Sequence, residues 1–245
     1  MDKLIYTAMT GASQVLEQQA SVSENLANAS TPGFRAVMNT FRAVPILGEG
    51  APTRTFVVDS TVGTNFAPGG LQPTGRDLDI AVNGKGWIAV QGPDGKEAYT
   101  RNGSLQISPD GILKTSTGLT VIGSSGPINV PPTSQITFAY DGTISTIPDG
   151  SQAYGITVID TLKLVNPPEN QLERGADGLF RMKNGGAAPV DPNTQIVPDN
   201  IEGSNVSTVN ALVNMISLSR KYDMQIKMLT TADNDAKQAS TIMGI

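Results

Sequence analysis

The chain has no cysteine and no histidine among its 245 residues. Without cysteine there is no disulfide, no thiolate nucleophile and no thiolate metal site. Without histidine the commonest general base near neutral pH and the commonest metal ligand are gone. Any catalysis would rest on carboxylates, Lys, Tyr or Ser. Aromatics are scarce, at 5 % with a single Trp. No apolar run reaches the roughly 18 residues of a membrane-spanning helix. No cluster of Lys or Arg is long enough for a nucleic-acid footprint, and the net charge is -5. The N-terminus lacks the basic region, apolar region and small-residue cleavage site of a secretory signal peptide. The sequence therefore predicts a cytoplasmic protein, or one exported by a route that keeps its N-terminus. The 26 Gly and 16 Pro exceed ordinary usage without reaching the disordered range. The length suits one or two domains.

What is present is an amphipathic stripe at each end. In residues 3–28 the apolar positions Ile5, Met9, Ala12, Leu16 and Leu26 follow a 4-3 spacing, with Gln19 and Ser23 in the remaining slots. In residues 205–243 a second stripe runs Val206, Val209, Val213 and Ile216, then Tyr222, Ile226, Leu229, Ala232, Ala236, Ala239 and Met243. Spacings of three and four put one helix face against a partner. No helical pattern lies between the stripes, so the two ends must meet each other or another chain. The last helix, at about 37 residues, would be roughly 55 Å long. A stripe of that length without caps points to a coiled coil or a helical assembly.

Between the ends the pattern is β. The first helix stops at Asn28-Ala29-Ser30-Thr31-Pro32-Gly33, where Pro32 keeps Thr31 out of the helical region. Residues 35–44 fit either a short helix or a strand. Residues 45–77 are rich in Gly, Pro and Thr, with one short strand at Thr55–Asp59. From Leu78 short apolar runs alternate with turn dipeptides. Asp-Gly recurs at 94, 110, 141, 149 and 177, and Asn83-Gly84 and Asn102-Gly103 lie among the first of these runs. Such pairs between short alternating runs predict hairpin turns, because both central residues of a type I′ turn need positive φ. Strands of this size and cadence mean a small-strand sandwich, barrel or meander. Residues 151–165 add one or two strands. Residues 166–200 form a loop-rich return with strands near 179–182 and 195–197. Ser204 or Asn205 is expected to cap the last helix.

Candidate sites are weak. Asp77 and Asp79 share a strand face and stand too close for the water gap of an inverting glycosidase. A strand entry is the better reading. Asn83-Gly84-Lys85-Gly86 lacks the rest of either phosphate-loop fingerprint and opens a strand, so it reads as a hairpin turn. Asp-x-Asp lacks the later Gly and Glu of a calcium loop. Trp87, in an apolar strand, reads as core. Three Asn-x-Ser triplets, at 28, 102 and 205, are of a kind frequent by chance. No catalytic residue, metal site or cofactor is expected. A secreted β-rich hydrolase of cell-wall glycan and a surface adhesin with coiled-coil stalks stand as competing readings. The first needs two placed carboxylates and an aromatic-lined groove, for which one Trp and 5 % aromatics equip the chain poorly; the second needs ion pairs beside the stripe, which are sparse.

The motifs point elsewhere. Tyr6-Thr7-Ala8-Met9 and Asn25-Leu26-Ala27-Asn28-Ala29-Ser30-Thr31-Pro32-Gly33-Phe34-Arg35-Ala36 resemble the N-terminal signature of bacterial flagellar rod and hook proteins. The stretch 77–123, with Val82-Asn83-Gly84-Lys85-Gly86-Trp87 and Tyr99-Thr100-Arg101-Asn102-Gly103, is similar to their β-domain. Ser204-Asn205-Val206, Val213-Asn214-Met215-Ile216 and Arg220-Lys221-Tyr222 match their closing helix. The three blocks fall in family order. Residues 29–36 and Val44-Pro45 are most like the proximal-rod branch, with distal-rod members as the competitor; a hook protein should be much longer. Glu24 and Asn210-Ala211 depart from the family pattern.

The resemblance implies a mixed, mainly β fold: a central small-strand β-domain flanked by N- and C-terminal α-helices that pack together in an assembly. Residues 1–40 would be the N-terminal helix and turn, joining 205–245 in an inner helical domain. Residues 41–77 would be an extended linker with a short strand, 78–200 the β-rich domain and 201–245 the C-terminal helix. It implies a structural subunit that polymerises into the axial drive shaft transmitting torque across the periplasm. The expected partners are itself, other rod subunits and the flagellar type III export apparatus, with export lacking signal cleavage and no nucleic acid or small-molecule substrate. The expected assembly interface is Ile5, Met9, Ala12, Leu16, Leu26, Val209, Val213, Ile216, Tyr222, Ile226 and Leu229. The family motif and its turn supply Asn25, Asn28, Pro32, Gly33 and Phe34.

Overall fold

The structure, a computed structural model, describes residues 4–45, 55–131, 134–148 and 156–244. Helix α1 (Leu4–Ala27) leads to β1 (Val37–Pro45), β2 (Thr55–Thr64) and β3 (Leu71–Pro73). Short strands follow: β4 (Ile80–Asn83), β5 (Trp87–Gln91), β6 (Glu97–Thr100), β7 (Leu105–Ile107), β8 (Leu113–Thr115) and β9 (Thr120–Val121). Then come β10 (Ser134–Phe138), β11 (Thr143–Pro148), β12 (Thr157–Thr161), β13 (Leu164–Val165), β14 (Leu172–Arg174) and β15 (Phe180–Met182). β16 (Gln195–Pro198) and β17 (Asn200–Glu202) precede the long helix α2 (Thr208–Met243). The sequence expectation of terminal helices around a small-strand β-region holds.

These elements form two compact units. One comprises Met1–Ala29, Ala36–Asn65 and Val206–Ile245; the other comprises Ser30–Arg35 and Phe66–Asn205. In the first, α1 packs on α2. Gln225 lies against Gly11, while Ser21 and Val22 share a groove with Asn214 and Leu218, so the helices run in opposite directions. β1 and β2 pair antiparallel from Val37↔Thr64 to Pro45↔Thr55, with a bulge between Thr40 and Phe41. The stretch expected as an extended linker thus begins as a two-stranded ribbon. Its long alternating register was hidden by the Gly, Pro and Thr content.

In the second unit an eight-stranded sheet runs β14-β15-β6-β5-β9-β8-β7, with β13 also on β5. A three-stranded sheet, β10-β11-β12, and the pairs β16-β4 and β17-β3 complete it. Both faces of β5 are covered. Ile88 and Val90 enter one apolar cluster, whereas Trp87 and Ala89 enter the other with Tyr99 and Phe180. That is the period-two geometry of a strand buried on both sides.

Four of the Asp-Gly turns close hairpins: β5-β6, β7-β8, β10-β11 and β14-β15, with Gly95, Gly111, Gly142 and Gly178 at φ of 75, 79, 85 and 78°. The Asp149-Gly150 turn and residues 151–155 lie outside the described residues. The Asn-Gly turns do not make hairpins. β4 pairs with β16 rather than β5, and β7 pairs with β8 rather than β6. Gly84 does take a positive φ of 70°, but the turn redirects the chain between sheets. A dipeptide reports local backbone only, not which strand the chain meets next. The expected caps also move. Ser207 Oγ, not Ser204 or Asn205, accepts from the Asn210 amide, and Gly244 at φ 68° closes the far end of α2.

Candidate assembly interface and the turn motif

Each terminal helix carries two apolar faces rather than one. On α1, Ala8, Ala12 and Val15 are buried, while Tyr6, Met9 and Leu16 are exposed at 56, 55 and 49 %. On α2 the inward line is Ala211, Met215, Leu218, Tyr222, Gln225, Leu229, Ala232 and Ala236, a strict 4-3 run. Ala211, Leu218 and Ala232 are buried there, and small side chains on both helices let them approach closely. Val209, Val213 and Ile216 stand outward at 70, 59 and 56 %, joined by Leu212, Met224 and Met228.

The eleven expected interface residues therefore divide. Ala12 is buried, and Ile5, Leu26, Tyr222 and Leu229 are half-buried; Met9, Leu16, Val209, Val213, Ile216 and Ile226 are exposed. A single stripe does not contain them. The sequence line on α1 ran along the border of two faces, so Ile5, Ala12 and Leu26, spaced by multiples of seven, turn inward and Met9 and Leu16 outward. On α2 the gap between Ile216 and Tyr222 is six residues, a phase change at which the line crossed from the outer face to the inner one. The inward residues Ala8, Val15, Ala211 and Leu218 were missed. The unbroken 4-3 run from Ala211 to Ala236 is the signal that could have found them.

The turn motif is built differently. Asn25 reaches across to β1: its Nδ2 donates to Val37 O at 2.8 Å and its Oδ1 accepts from the Val37 amide at 2.7 Å. Asn28 closes the helix, its amide and Nδ2 both donating to Glu24 O at 3.1 and 3.0 Å. Pro32 cannot donate, and Gly33 follows at φ 70°. The Gly33 amide donates to Glu202 O at 2.7 Å. A Cβ at Gly33 would meet Arg101 C at 2.3 Å and Asn102 N at 2.4 Å, so backbone lies flat against backbone. The Phe34 ring faces the Arg174 guanidinium at 4.7 Å, a cation–π contact, and Phe34 O accepts from the Asn205 amide.

Behind the turn lies a buried charge cluster that no sequence motif announced. Arg35 Nη1 meets Glu202 Oε1 at 2.8 Å, and Arg101 Nη1 meets Glu202 Oε2 at 2.9 Å, with side chains 1, 4 and 1 % exposed for Arg35, Arg101 and Glu202. Arg35 also donates to Ala67 O, Arg101 to Val82 O, and the Gly69 amide to Glu202 Oε1. Both guanidiniums lie near the Trp87 ring, at 6.0 and 5.4 Å. Burial pushes the Arg101 pKa down to about 10, with the Arg35 charge acting in the same sense and Glu202 opposing both. Two cations on one anion in a dry site are held only while every partner is present.

The carboxylates weighed as a catalytic pair are not one. Asp77 is exposed, whereas Asp79 is buried beside Arg76 at 3.4 Å. Among the described residues no group of three or more Asp and Glu gathers that could hold a metal ion.

Comparison with known proteins agrees with the motif reading. Residues 5–35 match the family described as flagella basal body rod protein, residues 81–146 the flagellar hook protein FlgE/F/G D1 domain, and residues 198–242 the flagellar basal body rod FlgEFG protein C-terminal. The chain is 45 % identical to the flagellar basal-body rod protein FlgF of Escherichia coli K12 and also to that of Salmonella typhimurium LT2, over 100 % of both chains in each case. To the flagellar basal-body rod protein FlgG of Buchnera aphidicola subsp. Acyrthosiphon pisum it is 31 % identical, over 90 % of this chain and 92 % of that one. With terminal helices, β-region and turn motif all in family order, the chain belongs to the flagellar basal-body rod protein family and is FlgF-like.

Proposed function

We propose that this protein is a structural subunit of the bacterial flagellar rod, located in the basal body, and that it joins its neighbours through the outer apolar face of its helix pair. The observation that carries the interface is the apolar surface left after α1 and α2 have covered each other: Tyr6, Met9, Leu16, Val209, Val213 and Ile216. Exposed large apolar side chains in such number on one helix pair mark a surface meant for burial. The contact is heterologous, meeting an unlike patch on the next subunit, and such contacts build helices rather than closed dimers. The partners are further copies and related rod subunits. Export through the flagellar apparatus without signal cleavage accords with this role, since a chain delivered unfolded does not expose the face before it reaches the growing end. Torque transmission needs stiffness and shape, and no catalytic group.

The test is site-specific photo-crosslinking in motile cells. A photoreactive residue at Met9, Leu16, Val213 or Ile216 should trap neighbouring rod subunits. The same residue at Ala12 or Leu218 should give only intrachain products. Equal yields between subunits from the two sets would defeat the assignment of the outer face.

A further inference from the structure

The second unit holds its N-terminal and C-terminal connections at one point. Ser30–Arg35, the run 66–70 and the run 202–205 lie against one another there. Gly33 donates to Glu202 O, Asn205 to Phe34 O, and Gly203 to Gly70 O. A Cβ at Gly69 would sit 2.0 Å from Gly203 O. At their centre Glu202 is the carboxylate shared by Arg35 and Arg101.

We propose that the Arg35–Glu202–Arg101 cluster is a latch that makes docking of the connection after the first helix conditional on docking of the connection before the last one. Arg101 follows β6 directly, and its guanidinium is also held by Val82 O, outside either connection. If residues 30–35 dock alone, Arg35 brings a second guanidinium into a buried site with no anion, and like charges there repel. If 202–205 dock alone, Glu202 gains Arg101 and the Gly69 amide but lacks one of its two cations. Only the three together satisfy the carboxylate, and each arrival strengthens the next. This is a coupling free energy between two chain segments, and it is reciprocal. Its consequence is that the chain orders both terminal connections in one step. The inference concerns folding of the second unit and holds whatever surface the helices use.

Amide hydrogen exchange on the full-length chain tests it, read at Gly33 for one connection and at Gly203 and Asn205 for the other. Ala89, bonded to Lys163 O within the sheet, serves as the control. Glu202→Gln keeps the shape and removes the anion. Exchange should rise at least about tenfold at all three connection amides, with Ala89 unchanged, since removing one member of a buried ion pair is strongly destabilising. Arg35→Met should loosen Gly203 and Asn205 although the change lies on the other connection. The double variant should exchange no faster than Glu202→Gln alone. Loosening confined to the mutated connection, or additive effects in the double variant, would overturn the latch. Should Glu202→Gln open the whole unit, seen as lost Ala89 protection, the Arg35→Met result at Gly203 and Asn205 decides.

Discussion

Replacing Gly33 with alanine separates two causes that usually travel together: backbone strain and close approach. Gly118 provides the reference, because it too has a left-handed φ, 88°, but an added Cβ there meets nothing within 4 Å. Gly118→Ala should cost about 1 kcal/mol, the ordinary penalty for a side chain in that region. Gly33→Ala bears the same penalty at φ 70°, and its Cβ would also overlap Arg101 C, Asn102 N and Arg101 O at 2.3, 2.4 and 2.5 Å. These are backbone atoms and cannot rotate aside. The turn must withdraw, which strips the Gly33 amide from Glu202 O and leaves both groups short of a partner. A buried polar group left unsatisfied costs about 1–3 kcal/mol. With both groups orphaned the total for Gly33→Ala is about 3–7 kcal/mol, about 2–6 above the reference. Trp87 is the single tryptophan and lies in the same unit, so urea unfolding followed by its fluorescence reads both variants directly. If Gly33→Ala is no more destabilising than Gly118→Ala, the close approach carries no energy and the docked turn is a passive tether.

Leu16→Asp and Ile216→Asp lie on the outer face and should leave thermal stability within about 0.5 kcal/mol of the parent while abolishing motility. Leu218→Asp, in the buried seam, should cost several kcal/mol and lower helix content by circular dichroism; the reverse ranking would assign the faces wrongly. Tyr99 donates to Glu97 Oε1 and accepts from the Ala188 amide, so Tyr99→Phe should cost about 1–3 kcal/mol by orphaning that buried amide. Burial raises the Tyr99 pKa from 10.0 to about 12, so its contribution is complete below pH 10 and lost as pH climbs through 12. Ultraviolet titration of the parent against Tyr99→Phe should place the lost phenolate step near pH 12. The hydrogen bonds from Arg181 hold Asp177 below its ordinary 3.8, so it stabilises above that pH and the contribution is lost as pH falls. Asp177→Asn should therefore flatten the acid limb of the stability profile, and an unchanged limb would count against the pair.

The terminal helices, the buried Trp87 strand and four Asp-Gly hairpins were legible because each is a short-range pattern: a period, an apolar run, a pair of residues needing positive φ. The turn motif was legible as a resemblance, and the Pro32-Gly33 stop as chemistry. What failed depended on partners far along the chain. Asn83-Gly84 has a hairpin's dipeptide, yet β4 meets β16, more than a hundred residues on. Arg35, Arg101 and Glu202 are unremarkable singly, and burial of three charges shows only once three segments are brought together. The doubled helix faces were hidden by composition, since the inward line of α2 includes Gln225 and three alanines among its large residues while the outward line holds Val209, Val213 and Ile216. A reading by hydrophobicity follows large apolar residues on both lines and crosses between faces.

The strand pairing has a kinetic consequence. β5-β6, β7-β8, β10-β11 and β14-β15 close over a few residues each and can form as soon as their own segment is free. Among the described residues β3 and β4 take β17 and β16 as their partner strands, and Arg101 waits for Glu202 across 101 residues. Loop closure over such separations is slow compared with hairpin formation. A chain appearing from its N-terminus thus gathers local ribbons early but cannot seal the second unit until β17 has emerged. Sealing falls just ahead of the helix that follows, so the last large entropy loss of the β-unit and the readiness of α2 coincide. The contact order of the sheet acts as a clock, set by where Glu202 stands in the sequence.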